Sequence, residues 1–452
     1  MFKKLLIAFG AMLVVAGCDS DSGNRVQPNP PPPPPPETFA LQILHASPDA
    51  PAVNVLADGN EVVAGLDYKS GTAALELEVG TYSIQVDGIL PNGTTTVIGP
   101  VDLTFDADTT YTVVAANDVA NIEAIVASQD RAAPAAGNAK LFVIHGASAA
   151  PQVDVYVTAP GADLTASAPV GTFSFGETIG PAEVAAGDYQ VRVTAAGDPA
   201  AVVFDTGTIT LNDQDDLALT AVANTAGGAA PISLVGLSGA GSLEILDAAT
   251  PAGLRVGHLS PDTPNVDVVV DGGVYLADVP FPAVTAFDSL PAATYNVAVQ
   301  AAGNPGVVPI GPVDLTLDAG TWTSVLAVNT FSNIEPLILV DSPRPIATNA
   351  QVRIIHASPT AATVDIYVTG VGVDINTVDP LLPSVEFKDF TDYLGLDAGD
   401  YDVTVTPAGT KTAAIGPATI SVSAGGVYTA IARDPLPGAM EFGLIVLDDL
   451  DD

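Results

Sequence analysis

Apolar and polar residues alternate in short runs along most of the chain. Leu41-Gln42-Ile43 and Val53-Asn54-Val55 are typical, and Gly, Pro, Asn and Asp separate one run from the next. A period of two broken in this way predicts β-strands joined by tight turns. No sustained helical period stands out.

The pattern also repeats at long range. Four phrases share one histidine position: Leu44-His45-Ala46-Ser47-Pro48-Asp49, Ile144-His145-Gly146-Ala147-Ser148, Gly257-His258-Leu259-Ser260-Pro261-Asp262 and Ile355-His356-Ala357-Ser358-Pro359. A strand follows each: Val53-Asn54-Val55, Val153-Asp154-Val155, Val266-Asp267-Val268 and Val364-Asp365-Ile366. The period is too long for a solenoid unit and suits whole tandem domains. Copies 1 and 3 share Ile98-Gly99-Pro100-Val101-Asp102 and Ile310-Gly311-Pro312-Val313-Asp314, whereas copies 2 and 4 share Val-Asp-(Val/Ile)-Tyr-Val-Thr and a longer Gly/Ala/Asp loop. The alternation implies duplication of a two-domain unit. The repeats then occupy 39–127, 139–235, 252–340 and 350–447, with small-residue linkers at 128–138, 236–251 and 341–349.

Each repeat also carries a corner before a strand: Leu77/Gly80/Tyr82, Val184/Gly187/Tyr189, Leu290/Ala293/Tyr295 and Leu396/Gly399/Tyr401. This spacing resembles the tyrosine corner of Greek-key sandwiches, in which the phenol bonds backbone across the turn. The expected fold is therefore all-β, a series of immunoglobulin-like β-sandwich domains. The His-Ala-Ser-Pro-Asp-Ala-Pro-x-Val-(Asp/Asn)-Val phrase, with the Gly-x-Tyr strand and Ile-Gly-Pro, resembles the domain-of-unknown-function 4397 family. The resemblance implies export and repetition, and it implies no reaction. Copy 2 departs from it, with Ala147-Ser148 where the others have Ser-Pro.

The N-terminus bears on location. Lys3 and Lys4 precede an apolar run, Leu5 to Ala16, that is too short to span a bilayer as a helix. Val15-Ala16-Gly17-Cys18 then resembles the lipobox of bacterial lipoproteins. That resemblance implies a lipoprotein signal peptide at 1–17 and lipidation of Cys18. Residues 18–38 would be the lipid anchor and a Pro-rich linker, in which Pro30–Pro36 form a polyproline II spacer. Cys18 is the only cysteine, so no disulfide supports the folded domains. The expected location is the bacterial cell envelope, with the outer membrane or cell surface favoured and the periplasmic face of the inner membrane as the alternative.

The net charge is −39, and loss of Lys3 and Lys4 makes it more negative. Phosphate contacts need Lys and Arg, so nucleic acid is not an expected partner. The expected partners are the membrane, through the lipid, and an envelope or extracellular protein or glycan. No cofactor is expected, although the density of oxygen donors leaves Ca²⁺ open.

His45, His145, His258 and His356 are the obvious candidate ligands. Strand phase puts each on the inward face, with Leu41 and Ile43 in copy 1, while Gln42, Lys140, Arg255 and Arg353 fall on the other face. A rim histidine bonding the backbone of its turn fits that placement better than a metal ligand, because each repeat has no second histidine. Asp154, Asp267 and Asp365 (Asn54 in copy 1) point outward, as solvated residues, turn caps or cation ligands together with Asp49 or Asp262. Tyr156 and Tyr367 also point outward, toward cross-strand packing or a sugar platform. Gly236-Leu237-Ser238-Gly239-Ala240 only approximates a nucleophile elbow. The sequence thus predicts a non-catalytic envelope protein acting as spacer, scaffold or adhesin-like binding module. The alternative is a glycan or Ca²⁺-dependent binder using the loops at the His-x-Ser-Pro ends.

Overall fold

The computed structural model describes residues 35–450. The expected signal peptide, Cys18 and most of the proline run lie outside the described residues. Among those described, no helix is long and apolar enough to cross a membrane.

The first repeat forms eight strands: β1 (Thr38–Ala46), β2 (Val53–Ala57), β3 (Asn60–Leu66), β4 (Leu75–Glu78), β5 (Gly80–Leu90), β6 (Gly93–Phe105), β7 (Thr109–Ala116) and β8 (Glu123–Asp130). They build two sheets, ordered β4-β1-β7-β8 and β3-β2-β5-β6. β1 and β7 run parallel, and the other pairs are antiparallel. Alternation along each strand sends one set of side chains between the sheets. Phe39, Leu41 and Ile43 of β1 meet Val53, Val55, Val86 and Phe105 there, and Phe39 stacks on Phe105 with ring centres 4.5 Å apart.

The other three repeats are sandwiches of the same plan. Their first strands are Asn138–His145, Ala252–His258 and Ala350–His356. The expected tandem sandwich architecture is therefore present four times. In the first, third and fourth sandwiches the first strand lies between the fourth and the seventh, and in the second between the fourth and the eighth, whereas constant immunoglobulin domains hold it beside the second. The two-sheet architecture is shared and the strand order is distinct. In the second sandwich the sheet that contains the first strand gains a fifth strand, Ser242–Ile245, from a segment expected to be linker.

Each sandwich contains a cis Gly-Pro step at a bulge: Gly99-Pro100, Gly180-Pro181, Gly311-Pro312 and Gly416-Pro417. In the first, third and fourth it lies in the sixth strand. In the second it lies in Thr178–Ala185, on the opposite sheet, so this repeat reuses the phrase at a different place. Gly99 has φ +83°, and a Cβ on it would come within 2.4 Å of the Ile84 carbonyl oxygen.

The sandwiches associate in twos. Leu44, Val114, Ala116 and Ile125 of the first form one apolar core with Phe142, Ile144, Val222, Val235 and Leu237 of the second. Leu259, Leu326, Val328 and Leu339 of the third join Ile355, Ala357 and Ile431 of the fourth in the same way. These residues lie on the outer face of the sheet that contains the first strand. The positions predicted to lie opposite the histidines are thus not in solvent: Gln42, Lys140, Arg255 and Arg353 are 5, 4, 2 and 4% exposed. A strand buried on both faces needs apolar residues at successive positions, as Leu41, Ile43 and Leu44 show.

Candidate functional site

The histidine turns are the best-defined polar feature shared by the four repeats. β1 ends at Ala46, and the chain reverses through Ser47-Pro48-Asp49-Ala50-Pro51 before entering β2. His45 is fully buried beneath this turn. Its Nε2 donates to the Pro51 carbonyl at 2.9 Å, and its Nδ1 accepts from the Ser47 N–H at 3.2 Å. Both ring nitrogens are therefore engaged by backbone, and the arrangement requires the neutral ring. The third and fourth repeats match it. His258 bonds Pro264 O at 3.2 Å and Ser260 N at 3.4 Å, and His356 bonds Ala362 O at 3.5 Å and Ser358 N at 3.3 Å.

Copy 2, whose turn sequence differs, has the weaker version. His145 Nε2 lies 3.4 Å from Pro151 O, and Nδ1 has no partner. Burial pushes all four imidazoles below their ordinary pKa, while the bond to the turn carbonyl pulls the other way. Each ring also meets an aromatic edge-on: Tyr68, Phe173, Phe281 and Phe387 in chain order.

The acidic candidates are likewise engaged by backbone. Asp49 accepts from Val119 N–H and Asp262 from Phe331 N–H, each at 2.7 Å, and so they cap the short turns after the seventh strands. Asp365 holds Ser384 N and Gly409 N, both at 2.8 Å, bridging the two strands that flank its own. Asp154 holds Gly197 N at 2.7 Å and the Thr172 hydroxyl, Asp267 holds Asp278 N at 2.8 Å, and Asn54 holds Gly65 N at 2.9 Å. Asp154 and Asp365 are buried, so the reading of this position as a solvated face is corrected to that of a bridge between strands. Among the described residues, no group of three or more His, Cys, Asp or Glu side chains is placed to hold a metal ion.

The corner tyrosines behave alike in all four copies. Tyr82, Tyr189, Tyr295 and Tyr401 each donate to the carbonyl four residues upstream: Glu78, Ala185, Pro291 and Asp397, at 2.8, 2.8, 2.7 and 3.0 Å. Tyr156 and Tyr367 are buried, which corrects their reading as outward-facing aromatics. The connection after their strand differs between odd and even copies. In copies 1 and 3 it is a two-residue turn, Asp58-Gly59 or Asp271-Gly272, with positive φ at both positions. In copies 2 and 4 it is a longer loop with a short 3₁₀ turn, capped by Asp163 or Asp374. Arg192 ties the copy 2 loop down through Ala162 O at 2.6 Å. Lys411 does the same in copy 4 through Ile375 O and Val378 O at 2.6 and 2.7 Å, with its ammonium 4.5 Å from the Tyr367 ring centre.

The sequence reading missed two features, both between domains. One is a buried charge lattice between the third and fourth sandwiches. Arg255 bonds Ser324 Oγ at 2.9 Å, Asp341 at 3.2 Å and Asp449. Arg353 bonds Asp341 at 2.7 Å, while Tyr393 and Thr429 hold Asp449 at 2.7 and 2.6 Å. The other is a cavity of about 210 Å³ where the first three sandwiches meet the 341–349 segment, lined by Asp67, Tyr68, Lys69, Glu244, Trp322 and Arg344 among others. The spaces inside the sandwiches are smaller and apolar. One, in the third, is about 70 Å³ and lined mainly by valine, isoleucine and leucine.

These repeated turns and corners agree with the family comparison. The family described as a domain of unknown function, DUF4397, matches residues 39–156, 252–367 and 350–452. The chain belongs to this family. The DUF4397 matches begin in the first strands of copies 1, 3 and 4, and copy 2 beyond Tyr156 is not matched. No curated protein matches the chain. Among solved structures it is similar to the Bacillus anthracis TIE protein, at 10% identity and a TM-score of 0.16, covering 84% of this chain and 65% of that one. It is also similar to SpuA, a multi-modular glycogen-degrading pneumococcal virulence factor, at 10% identity and a TM-score of 0.15, covering 59% of this chain and 37% of that one. The DUF4397 chain thus spans less than two thirds of either protein.

Proposed function

We propose that this protein is a lipid-anchored, non-catalytic component of the bacterial cell envelope, in which two sandwich pairs form a scaffold or binding module carried above the membrane on a proline stalk. The carrying observation is how the recurring polar residues are used. Histidine, strand aspartate and corner tyrosine all hold backbone of their own domain, so what the repeats have in common is a way of folding. The lipobox-like Val15-Ala16-Gly17-Cys18 supports the anchor, and Pro30–Pro36 supports the stalk. The glycan or Ca²⁺ alternative would use loops whose histidines and acids already serve those turns.

Metabolic labelling with an alkyne-bearing fatty acid tests the anchor. The wild-type chain should take up label and sediment with membranes, and Cys18→Ser should lose the label and become soluble. Membrane association that persists in Cys18→Ser would overturn the assignment.

A further inference from the structure

Two apolar cores cross a domain boundary, one inside each pair. Among the described residues, no such cluster crosses from one pair to the other. Hydrogen bonds join the pairs, and one residue makes several of them. Arg344 lies between the third and fourth sandwiches in sequence, yet it grips the first. Its guanidinium donates to the carbonyls of Pro48 at 3.1 Å and Ala50 at 2.8 Å and to the Asp67 carboxylate at 2.6 Å. Those carbonyls belong to the turn that His45 holds from beneath. Nearby, Ala347 N–H donates to Asp49 O at 2.8 Å, and Asn92 meets Asp397. The 210 Å³ cavity lies beside this contact. Across it the Trp322 ring sits against Gly227 of the second sandwich, where a Cβ would lie 3.2 Å from the ring.

We propose that this junction is a latch: Arg344 fastens two rigid sandwich pairs together, and its release lets them swing apart as intact bodies. The contrast between the interfaces supports it. Within a pair, separation would expose a continuous apolar core to water, which opposes opening strongly. Between pairs it would expose hydrogen-bonding groups and an existing cavity, which water can satisfy. Relative motion of domains is the ordinary expectation for a polar interface of this kind. The strongly negative net charge also pushes the pairs apart, and Arg344 is one of only 10 basic residues within the four sandwiches and their linkers. The latch extends the envelope reading by giving the tether a variable reach. It is independent of the lipid, so the failure of either leaves the other standing.

Trp322 is the only tryptophan and lies at the junction, so its fluorescence reads the latch directly. In the full chain, Arg344→Ala should red-shift Trp322 emission and raise its quenching by iodide, with unchanged far-UV circular dichroism. X-ray scattering of the same variant, made soluble with Cys18→Ser, should give a larger radius of gyration than Cys18→Ser alone. Asp67→Asn attacks the latch from the other side and should act in the same direction. A disulfide between Asn92→Cys and Asp397→Cys should restore wild-type quenching in the Arg344→Ala background. Wild-type quenching and radius in both Arg344→Ala and Asp67→Asn would overturn the latch. If Arg344→Ala lost its β-sheet signal, Asp67→Asn alone would decide, and wild-type quenching in it would overturn the proposal.

Discussion

The two sandwich pairs share a plan and fill it differently. In both, the sheets containing the first strands pack face to face, and matching positions form the interface. At the first-strand position three residues before the histidine the earlier pair has Gln42 and Phe142, where the later pair has Arg255 and Arg353; Lys140 sits two residues earlier on the same face. Gln129 of β8 stands where Asp341 stands in the third sandwich. The earlier pair has Lys140 against Asp216 at 2.7 Å and, across the seam, Lys69 against Glu244 at 2.6 Å, and those carboxylates are 36 and 31% exposed. The later pair seals two arginines and two aspartates away from water. The seams differ too. Beside β1 the earlier pair has Gly71, which leaves room for Leu237 and the added strand Ser242–Ile245, whereas the third sandwich has Val284 at the matching bridge. Duplicated interfaces can therefore keep their geometry while one adds a strand strap to its apolar core and the other adds a buried ionic network.

That contrast can be broken at its strongest point first. Asp341→Ala removes the carboxylate that Arg255 and Arg353 share in a buried interface, and removing one partner of such a network costs about 3–5 kcal/mol. Urea unfolding with hydrogen exchange resolved by segment should show the loss in the third and fourth sandwiches, with the first two unchanged. An effect below 1 kcal/mol would mean the lattice is wet. Gly71→Ala is the reciprocal test. Its Cβ would fall 2.3 Å from Leu237 Cδ2 and 3.1 Å from Ser242 Cβ, and overpacking of this kind costs about 1–3 kcal/mol. Protection should fall first in Ser242–Ile245, and intact protection there would show that the strap adapts freely.

The mildest test asks what the pairs have in common. Each contains two histidines that burial holds below the ordinary 6.5. As pH falls through about 6.5 the unfolded chain takes up protons that the folded chain still refuses, so stability drops on the acid side and is restored above it. Urea midpoints at pH 5 should lie below those at pH 7.5 for both pairs. A change confined to one pair, or a rise on acidification, would contradict the neutral buried assignment.

Much of each domain was legible and little between the domains was. Strand phase placed His45 and its three counterparts inward, because alternation in a sheet leaves no choice once Leu41 and Ile43 face the core. The tyrosine corner survived Ala293 and Val184, since the phenol seeks a backbone carbonyl, which any residue supplies. The pairing of domains was present in the sequence only as Leu44, Ile144 and Ile355 at positions that should have faced water. Gln42, Lys140, Arg255 and Arg353, two or four residues away on the same face, gave the opposite signal. A polar residue on a strand does not say whether it meets water or a partner. The grip of Arg344 on a turn nearly 300 positions earlier had no local trace either. Tyr156 and Tyr367 were misplaced for a related reason: the covering loop follows them in sequence and folds back from outside the strand.

Face-to-face pairing also sets how such a chain can change length. Loss of a single copy, such as residues 138–245, would leave the face around Leu44 and Val114 uncovered, an open invitation to aggregation or to a second chain. Gain of a single copy would leave the same face bare on the newcomer. Gain or loss of two at once leaves every face covered. A lineage built on this contact therefore counts in even numbers, and a relative with an odd number of copies must cover the last face with something else.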